Sequence, residues 1–187
     1  EEWLECERCA WTAHPRLLLP LLPPKVVSKA YRSRVQSLSD SFSPFALFID
    51  CSNVFEPFRS RNNYLICRAP ESRKEKQQRV GPLAIMSCGD SYEGRHKALC
   101  VIGKAWSNNN NGELARWLSA SPEARDAFKE KVTESALNEV GRSFPALREE
   151  RRVVARAMPW TYERFLGAPH GSIYGVQHTL DYYELNP

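Results

Sequence analysis

The sequence predicts an α+β fold, in which helices pack on a mixed, largely antiparallel sheet. Three observations support this class. Short β-rich apolar runs fill the first half of the chain, a long amphipathic helix follows residue 120, and one more strand-like run comes after that helix. Strands grouped before helices in this way are typical of α+β domains.

Five segments have the composition of strands. Ser43–Cys51 (SPFALFIDC) is a nearly continuous apolar run. Similar short runs, bounded by polar or glycine-containing segments, cover Tyr64–Cys67, Leu83–Ser87 and Lys97–Gly103. Arg151–Ala157 (RRVVARA) resembles a fifth strand.

The longest helix is predicted to begin after Ser121. The Ser121 hydroxyl can cap it, Pro122 suits the first helical position, and Glu123 meets the positive end of the helix dipole. Apolar residues then recur at every fourth position, which gives one apolar face over five turns: Ala124, Phe128, Val132, Ala136, Val140 and Phe144.

A first helix is predicted over residues 24–40, where apolar residues recur at spacings of three and four: Val27, Tyr31, Val35 and Leu38. Residues 71–79 form a charged run without an apolar period, which predicts a solvated loop. The asparagine-rich residues 107–112 predict a turn that a further helix follows.

Length and composition narrow the class of protein. With 187 residues, 42% hydrophobic and 26% charged, the chain matches one globular domain that buries roughly 70% of its unfolded surface. A net charge of +4 from scattered basic residues does not favour nucleic acid. No glycine spacing forms a phosphate cradle, and no run reaches the roughly 20 apolar residues that span a bilayer. The first residue is Glu1, so we expect a processed chain or a fragment.

The six cysteines do not predict a metal centre. Four of them lie in strand-like stretches and are expected to be buried apolar groups: Cys51, Cys67, Cys88 and Cys100. Cys6 and Cys9 form a C-x-x-C sequence near His14, but no second closely spaced pair completes a zinc site. A redox C-x-x-C is the other alternative, and the proline-broken segment after it gives poor support. The absence of an N-x-S/T glycosylation sequence favours an intracellular or organellar location, with peripheral membrane contact left open.

Residues 159–175 (PWTYERFLGAPHGSIYG) have an unusual composition. They contain three glycines, two prolines and four aromatic residues in seventeen positions. Glycine lets the backbone approach a flat ligand, proline fixes that backbone, and aromatic rings supply apolar walls. A rigid turn between core elements would need the same residue types, so composition leaves both interpretations open.

This segment resembles the flavin-dependent phytoene desaturase, carotenoid isomerase and retinol saturase family. The late segment of that family has the form P-x-T-F-E-R-Y-x-G-x-P-x-G-x-x-Y-G. Tyr162 and Phe165 exchange the two aromatic types of that form. The remaining positions match it: Pro159, Thr161, Glu163, Arg164, Gly167, Pro169, Gly171, Tyr174 and Gly175.

Two earlier stretches agree with the family more loosely. Residues 14–34, with His14-Pro-Arg-Leu-Leu-Leu-Pro and Ala30-Tyr-Arg-Ser-Arg, resemble its "hP…LLP…Y-x-x-R" stretch. Residues 143–148 (SFPALR) resemble its "FPgL" helix end. The resemblance therefore covers most of the chain, although only residues 159–175 match specifically.

The resemblance implies that residues 1–187 are a single substrate-binding-like domain of a flavin amine-oxidase-like oxidoreductase, without the nucleotide-binding halves of the family. It implies FAD as the cofactor, with a site that this chain leaves incomplete, and an apolar carotenoid or retinoid-like polyene as the substrate. Gly171, Tyr174 and Gly175 would then border the flavin. Tyr162, Phe165 and Ile173 would line a polyene channel.

The residues themselves nominate no acid or base. Glu163 and Arg164 are expected to form a structural or surface ion pair, and His170 and His178 flank the Tyr-Gly turn without indicating catalysis. Two further interpretations stay open. The chain could be a non-catalytic structural or assembly subunit derived from the family, covered by a protein partner at an exposed apolar face. It could also be a lipid or pigment carrier.

Overall fold

A computed structural model describes residues 7–51, 58, 62–65, 81–90, 97–106, 111–148 and 151–178. These residues contain one sheet of five strands. The strands are β1 (Ser43–Cys51), β2 (Asn62–Leu65), β3 (Leu83–Asp90), β4 (Lys97–Trp106) and β5 (Arg151–Ala157). Their order across the sheet is β2-β3-β4-β1-β5, and every pairing between neighbours is antiparallel.

Strand β1 carries the centre of the core. Its alternate residues Phe45, Leu47, Ile49 and Cys51 are at most 1% exposed, while Phe48 on the opposite face is 37% exposed. Successive side chains of a strand point to opposite faces, so one face of the sheet is fully covered and the other only in part. We call these the inner face and the outer face.

In the described part of the chain, five α-helices accompany the sheet, together with short 3-10 helices at Leu19–Leu21, Pro145–Arg148 and Pro169–Gly171. In chain order the α-helices are α1 (Pro15–Leu18), α2 (Lys29–Ser37), α3 (Asn111–Ser119), α4 (Pro122–Ser143) and α5 (Pro159–Leu166). Helix α4 has the start that the sequence predicts, because the Ser121 hydroxyl accepts a hydrogen bond from the Ala124 amide at 3.2 Å. Ser121 is therefore its N-cap.

Helix α4 covers the inner face with its central and last turns. Val132, Ala136 and Val140 are buried in the same apolar cluster as the inner residues of β1, β3 and β4. Each fully buried valine contributes about 1.5–3 kcal/mol, so this face stabilises the sheet. At the other end of the helix, the rings of Phe128, Trp117 and Trp160 stack at an angle, with Trp117 and Phe128 centroids 4.3 Å apart.

The α+β class is confirmed, with a sheet that is antiparallel at every described pairing rather than mixed. Strands β1 and β5 and helix α4 lie where the sequence predicts them. Helix α3 begins at Asn111, inside the range predicted as a turn, and residues 107–110 lie outside the described residues. Strands β3 and β4 run three residues further than predicted, and β2 begins two residues earlier. The predicted loop at residues 71–79 lies outside the described residues.

The predicted first helix is wrong in its extent. It begins at Lys29, where the Ser28 hydroxyl accepts from the Tyr31 amide at 3.1 Å, and it ends at Ser37. At Leu38 the backbone turns to ψ 135, which starts the approach to β1. The guanidinium of Arg32 donates to the carbonyls of Leu19, Leu22 and Pro23, and this holds the proline-rich segment before α2 as a separate turn.

The cysteine predictions are confirmed in part. Cys51 and Cys100 are buried as expected, but Cys88 is exposed, so that prediction is wrong. Cys88 lies on the outer face near the end of β3, beside a bulge. Cys6 and Cys67 lie outside the described residues.

The described residues show neither a metal-binding group nor a membrane-spanning helix. No group of three or more His, Cys, Asp or Glu side chains among them has an arrangement that could hold a metal ion. Within the same part of the chain, no helix has the length and apolar character needed to cross a membrane.

Replacing Gly103 by alanine is expected to lower the free energy of unfolding by about 1–3 kcal/mol, because overpacking a close-packed core forces its side chains off their positions. A Cβ at Gly103 would lie 2.4 Å from Phe45 Cζ and 2.8 Å from Leu83 Cδ2. Urea unfolding followed by fluorescence measures the change. Gly112→Ala is the matched control, since a Cβ there meets nothing within 4 Å. Equal stability of the two variants would contradict the proposed packing.

Candidate functional site

Residues 159–175 fold as a short helix followed by a tight turn. Pro159 is the first residue of α5, and the Thr161 hydroxyl accepts a hydrogen bond from the Met158 amide at 3.1 Å. The helix ends at Gly167, which has a left-handed φ of 60 and donates its amide to the Glu163 carbonyl at 2.9 Å. Proline at the start and glycine just past the end are the usual limits of a helix.

The turn after α5 concentrates left-handed backbone. All five residues with positive φ in the described chain lie within residues 167–175: Gly167, His170, Gly171, Tyr174 and Gly175. Gly171 is required for a second reason, because a Cβ there would lie 2.2 Å from the Pro159 carbonyl oxygen. The turn thus closes directly onto the first residue of its own helix.

Hydrogen bonds fasten this turn to the residues that precede β1. The Ser41 amide donates to the Gly175 carbonyl at 3.0 Å, and the Gln177 amide donates to the Ser39 carbonyl at 2.7 Å. The Ser43 hydroxyl donates to the His170 carbonyl at 2.7 Å. The turn is therefore held at the start of the central strand of the core.

A buried carboxylate lies at this junction. Asp40 is 5% exposed, and one of its oxygens, Oδ1, is 3.0 Å from both His14 Nε2 and an Arg16 guanidinium nitrogen. The other oxygen, Oδ2, is 2.6 Å from His170 Nδ1. Arg16 also donates to the Leu38 carbonyl. We call Asp40 with His14, Arg16 and His170 the Asp40 cluster.

The Asp40 cluster keeps the carboxylate ionised. Burial alone raises the pKa of Asp40, but the contacts with His14 and His170 and the charge of Arg16 outweigh it, so the pKa lies below its usual value of 3.8. Because a carboxylate only accepts hydrogen bonds, His170 donates through Nδ1, and Nε2 is the ring nitrogen that Asp40 does not engage. An imidazole held in this way can exchange a proton through Nε2.

The residues that the resemblance assigns to the flavin differ in their surroundings. Gly171 is buried against the backbone of Pro159, as described above. Tyr174 is 75% exposed, with its ring 6.2 Å from that of Phe42. Gly175 has φ 70, and nothing lies within 4 Å of where its Cβ would be. Tyr174 and Gly175 therefore form an accessible surface, and Gly171 holds the turn beneath it.

The three residues that the resemblance assigns to a polyene lie in two places. Tyr162 on α5 is half-buried, and burial raises its pKa to about 12, with Cys100 on the sheet as the smaller cause. Phe165, one turn later, is 72% exposed. Ile173 is half-buried in the turn, where its amide donates to the Phe42 carbonyl at 3.2 Å.

Sequence reasoning missed the Asp40 cluster. Its members are 24 and 130 residues apart along the chain, so no local pattern joins them. Asp40 falls within the helix predicted over residues 24–40, and an aspartate at a helix end gives no sign of burial. The only available sign is that His14, Arg16 and His170 each fall in a stretch that resembles the same family.

Comparison with known proteins adds no identification: no protein-family model matches the chain, and no curated protein matches it either.

Asp40→Asn is expected to lower the free energy of unfolding at pH 7 by about 3–5 kcal/mol, because it leaves the Arg16 guanidinium and the two histidine rings of a buried cluster without their carboxylate. The contribution of Asp40 is present above the ordinary carboxyl pKa and is lost as the pH falls through the lowered pKa of the folded state. Urea unfolding between pH 2 and pH 7, roughly the range in which carboxyls titrate, measures both effects.

The matched control is Asp126→Asn. Asp126 also pairs with a cation, Lys129 at 2.8 Å, but on the exposed face of α4, where solvent screens the pair. Its substitution should change stability little. Equal losses in the two variants would contradict the structural role assigned to Asp40.

Proposed function

We propose that this chain is a portion of a flavin-dependent oxidoreductase or isomerase that acts on a carotenoid or retinoid-like polyene. The proposal rests on the backbone conformation and the exposure of Tyr174. A bulky residue at φ 62 is strained by roughly 1–2 kcal/mol, and its side chain is 75% exposed, so burial of the ring does not offset the strain. Strain that the surrounding structure imposes on an exposed residue is typical of functional sites.

The nine matched positions of residues 159–175 divide by local role, and this division supports the proposal. Pro159, Thr161, Gly167 and Gly171 shape the helix and close the turn through the contacts described above. A rigid turn accounts for these four. It also accounts for glycine at position 175, where φ is 70, but not for the exposed tyrosine beside it. A planar ligand against Tyr174 would account for that exposure, and the open space beside Gly175 would admit it.

When bound, a flavin supplies the hydride chemistry, and the protein positions the polyene and excludes water. Under this proposal Gly175 admits the ring, Tyr174 borders it, and Gly171 holds both in place. Tyr162, Phe165 and Ile173 contact the polyene, for which apolar contact is worth about 25 cal/mol per Å². His170, fixed through Nδ1 by Asp40, is the group in this segment that can hold a proton at Nε2. The parts of the FAD site that bind the nucleotide would come from outside residues 1–187.

Exposed apolar side chains favour a second candidate function, a non-catalytic structural or assembly subunit of a larger complex. Phe165 and Leu166 at the end of α5 are 72% and 63% exposed. Leu17 of α1, itself 36% exposed, comes within 3.4 Å of a Cβ placed at Gly167. An apolar surface of this kind suits a protein partner as well as it suits a missing domain of the same enzyme.

A visible spectrum of the protein isolated from its own cells separates the two candidates. Flavin absorption bands near one flavin per chain support the oxidoreductase. A colourless protein that co-purifies with other subunits supports the structural role and contradicts the oxidoreductase. Extraction of the bound pigment, followed by mass spectrometry, identifies any polyene.

Gly175→Trp is expected to remove flavin from the isolated assembly without unfolding this domain, because the indole would occupy the space that the ring needs. Gly175→Ala is the matched control. It imposes the same backbone strain at φ 70 but adds only one methyl group. The ratio of flavin to protein absorbance measures the loss, and circular dichroism confirms folding. Retention of flavin in folded Gly175→Trp would overturn the proposed proximity.

A further inference from the structure

Two cysteines lie side by side on the outer face of the sheet. Cys100 of β4 is paired with Met86 of β3, and Cys88 lies two residues further along β3, so the three side chains share one face. Cys88 is the diagonal neighbour of Cys100, and the two thiols lie near enough for Cys88 to contribute to the raised pKa of Cys100. Both are free thiols in this structure.

A bulge lies beside the two thiols. Diagonal neighbours in an antiparallel pair are normally about 7–8 Å apart, which is longer than the Cα separation of about 4.4–6.8 Å in a disulfide. The register of β3 and β4 shifts between Ser87 and Asp90, which places an extra residue of β3 beside Cys88. The local irregularity and the contact between the thiols together allow a bond that a regular ladder would resist.

The two thiols differ in access. Cys88 is exposed, whereas Cys100 is 5% exposed. Burial, with a smaller effect of Cys88, raises the pKa of Cys100 to about 11. An oxidant in solution therefore meets Cys88 first. Cys100 is reached only from Cys88, which already contacts it.

Other ionisable groups on this face are few among the described side chains. Tyr162 of α5 lies near Cys100, and Lys104 of β4 follows it on the same face. Asp50 of β1 pairs with Arg152 of β5 at 3.1 Å, so its charge is offset. Cys51 is buried on the inner face and does not compete for this site.

We propose that Cys88 and Cys100 form a dithiol modification site, at which a low-molecular-weight disulfide such as glutathione disulfide oxidises the pair to an intramolecular disulfide.

The reaction proceeds by two thiol–disulfide exchanges. The Cys88 thiolate attacks one sulfur of glutathione disulfide, so a bond forms between Cys88 and one glutathione while the other leaves as a thiolate. Cys100, after losing its proton, then attacks the Cys88 sulfur and releases the second glutathione. The protein loses two protons and two electrons, which convert one glutathione disulfide into two glutathiones.

The order of the steps follows from the same contacts. Part of the raised pKa of Cys100 comes from Cys88, and that part disappears once the Cys88 sulfur is in a mixed disulfide. The Cys100 thiolate, although rare, is a strong nucleophile because nucleophilicity rises with thiol pKa. Its contact with Cys88 supplies a high effective concentration.

The test uses the full chain in a Cys6→Ser/Cys9→Ser background, which removes the C-x-x-C pair as a competing dithiol. The reduced protein is titrated with glutathione disulfide, quenched with acid, and analysed by intact mass and by peptide mapping without reduction. The expected product is a chain that has lost two hydrogens, with the peptides of Cys88 and Cys100 joined. Addition of excess dithiothreitol should restore the reduced mass.

Three variants assign the roles. Cys88→Ser should form neither the disulfide nor an adduct at Cys100. Cys100→Ser should stop at a glutathione adduct on Cys88. Cys100→Ala, which keeps the buried position apolar, should behave in the same way if serine disturbs folding. Circular dichroism before oxidation establishes that each variant is folded.

Three results would overturn the proposal. These are a stable glutathione adduct on Cys88 in the unsubstituted pair, a lack of any reaction at Cys88, and a disulfide that joins either cysteine to a different partner. None of them depends on flavin or polyene, so failure here leaves the proposed function untouched.

Discussion

The buried carboxylate of Asp40 is the constraint on which the arrangement of this domain depends. A carboxylate that is 5% exposed is stable only when charged or hydrogen-bonding groups surround it, and here those groups come from two other parts of the chain. His14 and Arg16 belong to the start of the chain and His170 to its last described segment. One ionic centre thus determines where both of these segments meet the beginning of β1.

The Asp40 cluster also helps to hold the turn of residues 167–175 in its conformation. Five left-handed residues in nine positions form a backbone that would not hold its shape alone, since two of them, His170 and Tyr174, have no glycine freedom. The hydrogen bonds to Ser39, Ser41 and Ser43 and the ion pair of His170 with Asp40 hold the turn from one side. The opposite side, with Tyr174 and Gly175, remains accessible for the ligand that we propose.

Local signals in the sequence predicted much of the fold. The cap at Ser121 and the four-residue repeat define α4, and the apolar runs define β1 and β5, because capping and periodicity act within a few residues. The extent of α2 was not predictable, because its first turn depends on Ser28, and Arg32 holds the segment before it. Cys88 is exposed beside a bulge in the pairing of β3 with β4. A bulge of this kind cannot be predicted from the sequence of one strand.

Of the candidate site, residues 159–175 could be singled out from the sequence, whereas Asp40 could not. The composition of residues 159–175 indicated a special backbone, and the positive φ angles confirm it. Asp40 could not be found, because its partners lie far away in the chain and become neighbours only when the sheet forms. The residues of the turn explain its backbone conformation. Its position in the fold depends on the carboxylate of Asp40, which lies far away in the chain.

Strand β5 has one further consequence, for self-association. Among the described strands it pairs with β1 alone, so its other edge presents backbone groups that could template another chain. Arg152 and Arg156 lie on this edge strand, and the side chain of Arg152 is 77% exposed. A second copy approaching edge to edge would have to disturb the ion pairs of Arg152 with Asp50 and of Arg156 with Glu130, and charged side chains on an edge strand oppose the growth of a continuous intermolecular sheet.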